Sequence, residues 1–273
     1  MFEMDKLSKP AGGYSVTGRI KTVKQPYGGY LRVPSFDCVQ FDDGQQLAVT
    51  ENISPGLVGL AVDYLTRFML SKDVMKAFLV SCVGACVAEQ YGEIGSEDAA
   101  KALVNGIIGL DDSSIEKACQ LVSFDVWTRN IMGALVAMTT WRDIRPDATT
   151  VENIRIMVKR SLALFDTYGP IVEMGFSFEP HGYTDVVSSG DGDYLTNDTL
   201  WDFKVSKNKP KSADTLQILM YYIMGLHSGN PIFSSIDYIA LFNPRLNCMY
   251  RMPVANISAD ILNQVESTVI CYD

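Results

Sequence analysis

Two aspartates and a lysine are the side chains of this 273-residue sequence that are best suited to chemistry. Asp202 and Lys204 are two residues apart, so in a strand they project from one face while the bulky Trp201 and Phe203 project from the other. Because burying an unpaired charge is costly, this pattern indicates a polar purpose. With Asp185 on a neighbouring strand, two carboxylates would suit a hard cation such as Mg²⁺, and the lysine could hold or activate a phosphate-bound nucleophile.

The segment that carries these residues, 182–205, predicts two strands joined by a polar hairpin loop. We expect the first strand to carry Asp185 and the second to span 200–205. The loop 191–198 resembles the start of a calcium-binding EF-hand loop, but Leu195 stands at its fifth position and no glycine follows. Its Gly, Asp and Asn residues instead favour a hairpin turn.

Three short motifs follow one another in the order Gly182-Tyr-Thr-Asp185, Asp202-Phe-Lys204 and Gln217-Ile-Leu-Met-Tyr221. This series resembles the RecB-like branch of the PD-(D/E)XK nuclease superfamily. The resemblance implies an α/β fold with a restriction-endonuclease-like core, in which a mixed central sheet is flanked by helices. It also implies a set of catalytic residues, namely Asp185, Asp202, Lys204, Gln217 and Tyr221.

The family's metal site carries over with one departure. Gly59-Leu-Ala-Val-Asp63 resembles the family's first motif, but Asp63 stands where a metal-binding histidine is usual. The resemblance implies Mg²⁺ or Mn²⁺ held by Asp63, Asp185 and Asp202, with the Phe203 carbonyl as a further candidate ligand. A carboxylate suits these ions as well as imidazole does. The alternative for Asp63 is an ion pair with Arg67, one helical turn later.

Charge and accessory residues bear on the substrate. The net charge of −9 argues against a protein that coats nucleic acid. A local basic rim of Lys207, Lys209 and Lys211 could nevertheless contact nucleic-acid phosphates, the alternative being a solvated lysine loop. Glu173 is an accessory metal group or an edge-strand ion-pair partner, and His181 adjoins Gly182 and could reach the cleft.

The cysteines and the N-terminus indicate the compartment. Six scattered cysteines favour small core residues under reducing conditions. The RecB-like resemblance bears on an iron–sulfur cluster, which some of these nucleases hold on one early and three late cysteines. Because only Cys248 and Cys271 lie late here, we expect no such cluster. Residues 1–10 lack a signal-peptide pattern, and no apolar run is long and pure enough for a membrane span. The sequence therefore predicts a cytoplasmic protein without a membrane partner.

The chain as a whole predicts an extended N-terminal arm over 1–45 and a nuclease-like domain over 46–273, with a helical insertion at 72–148. Ser54 and Pro55 are typical of a helix start, and Thr150 is a candidate cap for a helix over 149–168. Apolar spacing predicts further helices and strands. The helices span 57–70, 78–90, 97–108, 114–121, 126–140, 213–226 and 258–269, and the strands span 171–178, 235–242 and 248–254.

Taken together, these patterns predict a metal-dependent nuclease that hydrolyses phosphodiester bonds of DNA, either single- or double-stranded. The alternative is a catalytically silent nuclease fold that binds nucleic acid or a protein partner.

Overall fold

The chain folds into two compact units in a computed structural model that describes residues 12–136 and 140–272. One unit comprises 12–41 and 168–272, and the other comprises 42–136 and 140–167. The first residues of the predicted arm and part of the helix predicted over 126–140 lie outside the described residues. No helix in the described ranges is long and apolar enough to cross a membrane.

The second unit is built of helices, as the sequence predicts for most of its length. Ser54 caps the first of them, because its side chain accepts a hydrogen bond from the Leu57 amide at 3.4 Å, and Pro55 is the first helical residue. The helices are α2 (Pro55–Ser71), α3 (Val74–Ala77), α4 (Leu79–Gln90), α5 (Ser96–Asn105), α6 (Asp112–Leu121), α7 (Val126–Arg129), α8 (Ile131–Val136) and α9 (Ala148–Tyr168).

Two details of these helices differ from the sequence predictions. The helix predicted over 126–140 is broken at Asn130, whose φ of −157° is not helical and whose side chain accepts from the Gly133 amide at 3.0 Å. In α9 the Thr150 amide donates to Asp147 at 2.7 Å, so Asp147 caps that helix. Thr150 is instead buried, and its hydroxyl bonds to Asn52 at 3.0 Å.

The first unit holds a mixed sheet with helices. Its strands are β1 (Tyr14–Ser15), β2 (Asp37–Gln40), β3 (Ile171–Phe176), β4 (Val187–Ser189), β5 (Gly192–Thr196), β6 (Thr199–Phe203), β7 (Tyr238–Asn243) and β8 (Cys248–Pro253). Its helices are α1 (Val16–Thr22), α10 (Ser212–His227) and α11 (Ala259–Gln264), the last of which continues as a π-helix over Val265–Ile270.

Six of these strands form one sheet in the order β2-β8-β7-β6-β5-β3. All neighbours are antiparallel except β6 and β7, which are parallel and are connected through helix α10.

The two faces of this sheet follow from strand alternation. Leu200 of β6 belongs to the buried cluster that also contains Leu216 and Met220 of α10, so α10 covers that face. Trp201 projects to the opposite face, where it is fully buried and its ring centroid lies 5.7 Å from that of Tyr168. Alternation therefore directs the even-numbered residues of β6, including Asp202, toward the α10 side.

The N-terminal segment is more regular than the extended arm that the sequence predicts. Residues 16–22 form α1, and 37–40 form β2, which pairs with β8 as the edge of the main sheet. The Gly and Pro residues on either side of α1 and β2 favour irregular structure, which is why the sequence predicts an extended arm there. A four-residue edge strand is too short to stand out against them.

The predicted hairpin is shifted along the chain. The strand expected to carry Asp185 does not pair with 200–205, because β4 pairs with β1, and the partner of β6 is β5. Strand β5 lies inside the segment expected to be a loop, so the turn shrinks to Asn197 and Asp198. Asp185 lies before β4, outside any strand, and is exposed.

A buried carboxylate connects side chains from several helices of the second unit. Asp125 is 1% exposed and accepts hydrogen bonds from the Tyr64 hydroxyl at 2.6 Å and the Ser81 hydroxyl at 2.5 Å. The Arg129 guanidinium lies 3.5 Å away. Burial, which outweighs these contacts, raises the pKa of Asp125 above the ordinary 3.8.

This pKa shift predicts how Asp125→Asn changes stability with pH. Because the folded protein holds this proton more tightly than the unfolded chain, the contribution of Asp125 is fully present below about pH 4 and declines as pH rises through the folded pKa. Urea unfolding of the natural chain and Asp125→Asn at about pH 4 and pH 7 should therefore favour the natural chain more at the lower pH. A stability difference that does not change with pH would contradict this prediction.

Candidate functional site

Two carboxylates face each other across the β5–β6 hairpin. The register pairs Leu195 with Leu200 and Tyr194 with Trp201, and Asp193 and Asp202 are the next residues beyond this ladder. Strand alternation puts Asp193 on the same face as Leu195 and Asp202 on the same face as Leu200, and both leucines belong to the buried cluster that α10 covers. Asp193 and Asp202 therefore project together on the side of the sheet that α10 covers.

Lys204 is the cation beside this pair. Its Nζ lies 2.6 Å from Asp202 Oδ2, and the Asp202 side chain is 1% exposed while that of Lys204 is 22% exposed. The prediction that Asp202 and Lys204 share a face is thus confirmed. An ammonium this close offsets part of the cost of removing the carboxylate from water.

Helix α10 supplies two polar groups to the same place. Gln217 accepts a hydrogen bond from Lys204 Nζ at 3.0 Å and donates from Nε2 to the Tyr221 hydroxyl at 2.9 Å. The two residues are one helical turn apart, so they lie on one face of α10. The structure therefore brings Asp202, Lys204, Gln217 and Tyr221 together, four of the five predicted catalytic residues.

Asp193 is held by the backbone of the neighbouring strand. Its Oδ2 accepts a hydrogen bond from the Phe203 amide at 2.7 Å, at the point where β6 ends. That bond aims the carboxylate at the segment between Asp202 and Lys204. Asp193 is the functional candidate that the sequence predictions missed, because it lay in the segment interpreted as a loop.

A signal for Asp193 was present in the sequence. Asn197-Asp198 is a turn pair flanked by two apolar segments, which indicates a two-residue hairpin. A two-residue turn at this place fixes Thr196 opposite Thr199, and counting outward sets Asp193 opposite Asp202.

The charges of the cluster shift the pKa values of Lys204 and Tyr221. Burial lowers the pKa of Lys204 as the largest single effect, but the negative charges of Asp202, Asp193 and Asp214 outweigh it, so the pKa is raised above 10.5. Burial and the charges of Asp202 and Asp193 raise the pKa of Tyr221 well above 10. Lys204 is therefore a cation and Tyr221 a neutral hydroxyl at neutral pH.

Close packing fixes the Tyr221 ring. Its centroid lies 5.2 Å from that of Phe178, and a Cβ added to Gly190 would lie 3.5 Å from the ring. Gly182 lies where a Cβ would come within 2.5 Å of the Met224 and Phe178 carbonyl oxygens. The glycine that begins the Gly182–Asp185 motif thus allows the chain to approach α10 closely.

The lysine-rich segment after β6 is anchored by Asn243. This side chain is 1% exposed; its amide donates to the Ser206 carbonyl at 2.8 Å, and its Oδ1 accepts from the Arg245 amide at 3.0 Å. The three predicted nucleic-acid contacts are all exposed around this anchored segment, namely Lys207, Lys209 and Lys211. The Lys211 amide also donates to Asp214 at 2.7 Å, which closes the start of α10.

Three other residues of the predicted site have the following surroundings. Asp185 is exposed at a turn in which the Thr184 amide donates to the Val187 carbonyl at 2.9 Å. Asp63 lies on α2 of the helical unit and pairs with Arg67 at 2.7 Å, the alternative considered for it from the sequence. His181 is exposed in the loop after β3.

Glu173 lies on the same face of the sheet as Asp193. It pairs with Leu195 in the β3–β5 register, and Leu195 is two residues from Asp193 along β5. An accessory role near the carboxylates thus stays a prediction for Glu173.

The oxygen atoms of Asp193 and Asp202 are the type of ligand that a hard divalent cation prefers. Asp193 and Asp202 offer carboxylate oxygens at one end of the hairpin, and Mg²⁺ is commonly held by one or two carboxylates together with waters and substrate phosphates. Within 12–136 and 140–272, no group of three or more His, Cys, Asp or Glu side chains is arranged to hold a metal. A cation at this place would therefore rely on the two opposed aspartates.

The Asp202–Lys204 pair predicts a strong coupling in stability. Lys204→Met should lower the free energy of unfolding by about 1–3 kcal/mol, because it leaves a buried carboxylate without its ammonium. Asp202→Asn combined with Lys204→Met should recover part of that loss, as measured by urea unfolding of the full double-mutant cycle. Strictly additive effects of the two substitutions would show that the pair contributes nothing.

Comparison with protein-family models, with curated proteins and with solved structures gives no match for this chain. The function must therefore be argued from the side chains themselves. The strongest grouping among them is the cluster of Asp193, Asp202, Lys204, Gln217 and Tyr221.

Proposed function

We propose that this protein is a metal-dependent nuclease whose carboxylates are Asp193 and Asp202 and whose catalytic cation is Lys204. One observation carries the proposal: Lys204 Nζ lies 2.6 Å from Asp202, and the negative charges of both Asp202 and Asp193 act on it. Carboxylates beside a lysine are suited to holding a divalent cation and a phosphodiester together. We still propose that the chain resembles the PD-(D/E)XK superfamily. In this proposal Asp193, and not Asp185, is the first metal-binding carboxylate.

The arrangement of elements supports a restriction-endonuclease-like core. Antiparallel strands β3, β5 and β6 are followed by α10 and then by β7, which runs parallel to β6. The motif residues occupy adjoining elements of this core, since Asp202 lies on β6 and Gln217 and Tyr221 on α10. This agrees with the sequence expectation of strands, a helix and further strands.

Each residue has a definite part in the proposed hydrolysis. A divalent cation bound by the two carboxylates would polarise the scissile phosphate and lower the pKa of an attacking water. Lys204, a cation at neutral pH, stabilises negative charge that develops on the phosphate. Gln217 holds Lys204 by accepting a hydrogen bond from it at 3.0 Å, and the Tyr221 hydroxyl in turn accepts a hydrogen bond from Gln217.

The proposed substrate is DNA, whose phosphates would be contacted by the exposed lysines after β6. Lys207 and Lys209 are exposed on the segment that Asn243 anchors, a few residues beyond Lys204. Such a local rim attracts phosphates although the net charge of the chain is −9. Binding through a short rim predicts weak, salt-sensitive contact rather than stable coating of nucleic acid.

The decisive test compares two aspartates of the same segment. Asp193→Asn should reduce Mg²⁺- or Mn²⁺-dependent cleavage by about 100-fold or more, because loss of an outer-shell partner alone costs a metal site about 10- to 100-fold. Asp185→Asn, a matched control at an exposed turn, should retain cleavage. The assay follows linear and circular single- and double-stranded DNA, with EDTA as the metal-free reference.

The opposite pattern, with cleavage lost in Asp185→Asn and retained in Asp193→Asn, would restore the first sequence assignment. Cleavage that survives Asp193→Asn, Asp202→Asn and Lys204→Met alike would rule out this site.

One observation favours a second candidate, a catalytically silent fold that binds nucleic acid or a protein. Lys204 Nζ already neutralises Asp202 at 2.6 Å, so the carboxylate has a cation without any metal. In that case the folded protein would cut none of the DNA substrates in Mg²⁺ or Mn²⁺. Salt-sensitive DNA binding weakened by Lys207→Ala with Lys209→Ala would then identify a nucleic-acid binder.

A further inference from the structure

A pair of thiols meets across the edge of the sheet, outside the candidate active site. Cys38 of β2 and Cys248 of β8 have their sulfur atoms 3.2 Å apart. The register pairs Cys38 with Tyr250 and Gln40 with Cys248, so the two cysteines are diagonal neighbours on one face of the antiparallel pair. The sulfur separation shows that both side chains already point toward each other.

The two thiols differ in access. Cys38 is exposed on an edge strand, whereas Cys248 is 3% exposed. Burial raises the pKa of the Cys248 thiol to about 11, with a further contribution from its contact with Cys38. Cys38 is therefore the sulfur that an oxidant in solution can reach, and Cys248 is the protected partner beside it.

We propose that Cys38 and Cys248 form a reversible dithiol–disulfide site that takes a peroxide as its oxidant. In the first step the Cys38 sulfur attacks the peroxide O–O bond, giving a sulfenic acid and releasing water. In the second step the Cys248 sulfur attacks the Cys38 sulfur, so an S–S bond forms, the S–O bond breaks and a second water leaves. Two thiols are thereby oxidised by two electrons and hydrogen peroxide is reduced to water.

The proximity of the two sulfurs is what favours the second step, because at 3.2 Å Cys248 lies beside the sulfenic acid as it forms. The Tyr250 hydroxyl and the positive charge of Lys209 each lower the pKa of the Cys248 thiol. They offset part of the opposing effect of burial on that thiol. Other cysteines of the chain lack this arrangement of a reachable sulfur and a buried partner at 3.2 Å among the contacts of the described residues.

The disulfide would fasten an otherwise exposed edge strand. All four residues of β2 are exposed, and the strand is held by its ladder to β8 and by the Gln40 side chain, which donates to the Leu246 carbonyl at 2.7 Å. The bond would close a loop between positions 210 residues apart, which restricts the unfolded chain. The oxidised protein should therefore have a higher melting temperature and slower amide exchange in β2 than the reduced protein.

The thiol pair lies on the same face of the sheet as the candidate active site. Asp202 pairs with Leu241, Leu241 with Tyr250, and Tyr250 with Cys38, so all four lie in one row across the sheet. Strands are about 4.8 Å apart, so Tyr250 lies roughly 10 Å from Asp202. The thiol site is thus separate from the carboxylates, and the inference stands whether or not the protein cleaves DNA.

The test is oxidation of the full chain after reductant is removed. With a small excess of hydrogen peroxide, non-reducing peptide mass spectrometry should find the Cys38 and Cys248 peptides linked, and dithiothreitol should separate them. The Cys38→Ser variant should lack the link, as should Cys248→Ser. As a matched control, Cys86→Ser removes an exposed thiol of α4 and should leave the Cys38–Cys248 link intact.

Either of two results would overturn the proposal. One is sulfinic acid at Cys38 with no link to Cys248, since a partner at 3.2 Å should capture the sulfenic acid before further oxidation. The other is a link that joins Cys38 chiefly to another cysteine or to a second chain. Cys38→Ser changes an exposed residue, so its folding is not in question, and circular dichroism can verify the buried Cys248→Ser variant.

Discussion

The ion pair between Asp202 and Lys204 is the interaction on which the rest of the candidate site depends. A carboxylate that is 1% exposed needs a compensating cation, and Lys204 supplies it at 2.6 Å from the end of the same strand. Lys204 in turn needs a fixed acceptor, which Gln217 provides. The buried Asp202 carboxylate in the sheet is therefore linked to α10 through Lys204 and Gln217.

The sheet topology makes this arrangement possible. Strand β6 is central, with antiparallel β5 on one side and parallel β7 on the other, so its end is flanked by fixed backbone. The β5 side contributes Asp193, and the β7 side contributes a hydrogen bond from the Lys204 amide to the Phe242 carbonyl at 2.9 Å. At the end of β7, the Asn243 side chain bonds to the Ser206 carbonyl, so the charged residues after β6 begin from a defined position.

Local chemistry explains which features the sequence predicted well. Ser54 before Pro55 specifies a helix start that needs no distant contact, and the alternation of Trp201, Asp202, Phe203 and Lys204 specifies which side chains share a face. The helical spacing of Gln217 and Tyr221 likewise puts both on one face of α10. In each case the signal lies within one element.

Features that depend on pairing between elements were harder to predict. Asp185 has the motif spacing, but the register of β6 is decided by its partner β5, and Gly192 and the nearby Asp residues made that strand look like a loop. The edge strand β2 gains its regularity from β8, more than two hundred positions later in the chain. Asn130 breaks a helix whose apolar pattern continues through it, because its side chain caps the next helix instead.

The most direct measurement of the central claim is Mn²⁺ binding by isothermal titration calorimetry, carried out without nucleic acid. If Asp193 and Asp202 form one carboxylate site, the natural chain should bind Mn²⁺, and Asp193→Asn and Asp202→Asn should each lose most of that binding while Asp185→Asn keeps it. Binding that is equal in the natural chain and in all three folded variants would contradict the account, as would binding lost only in Asp185→Asn.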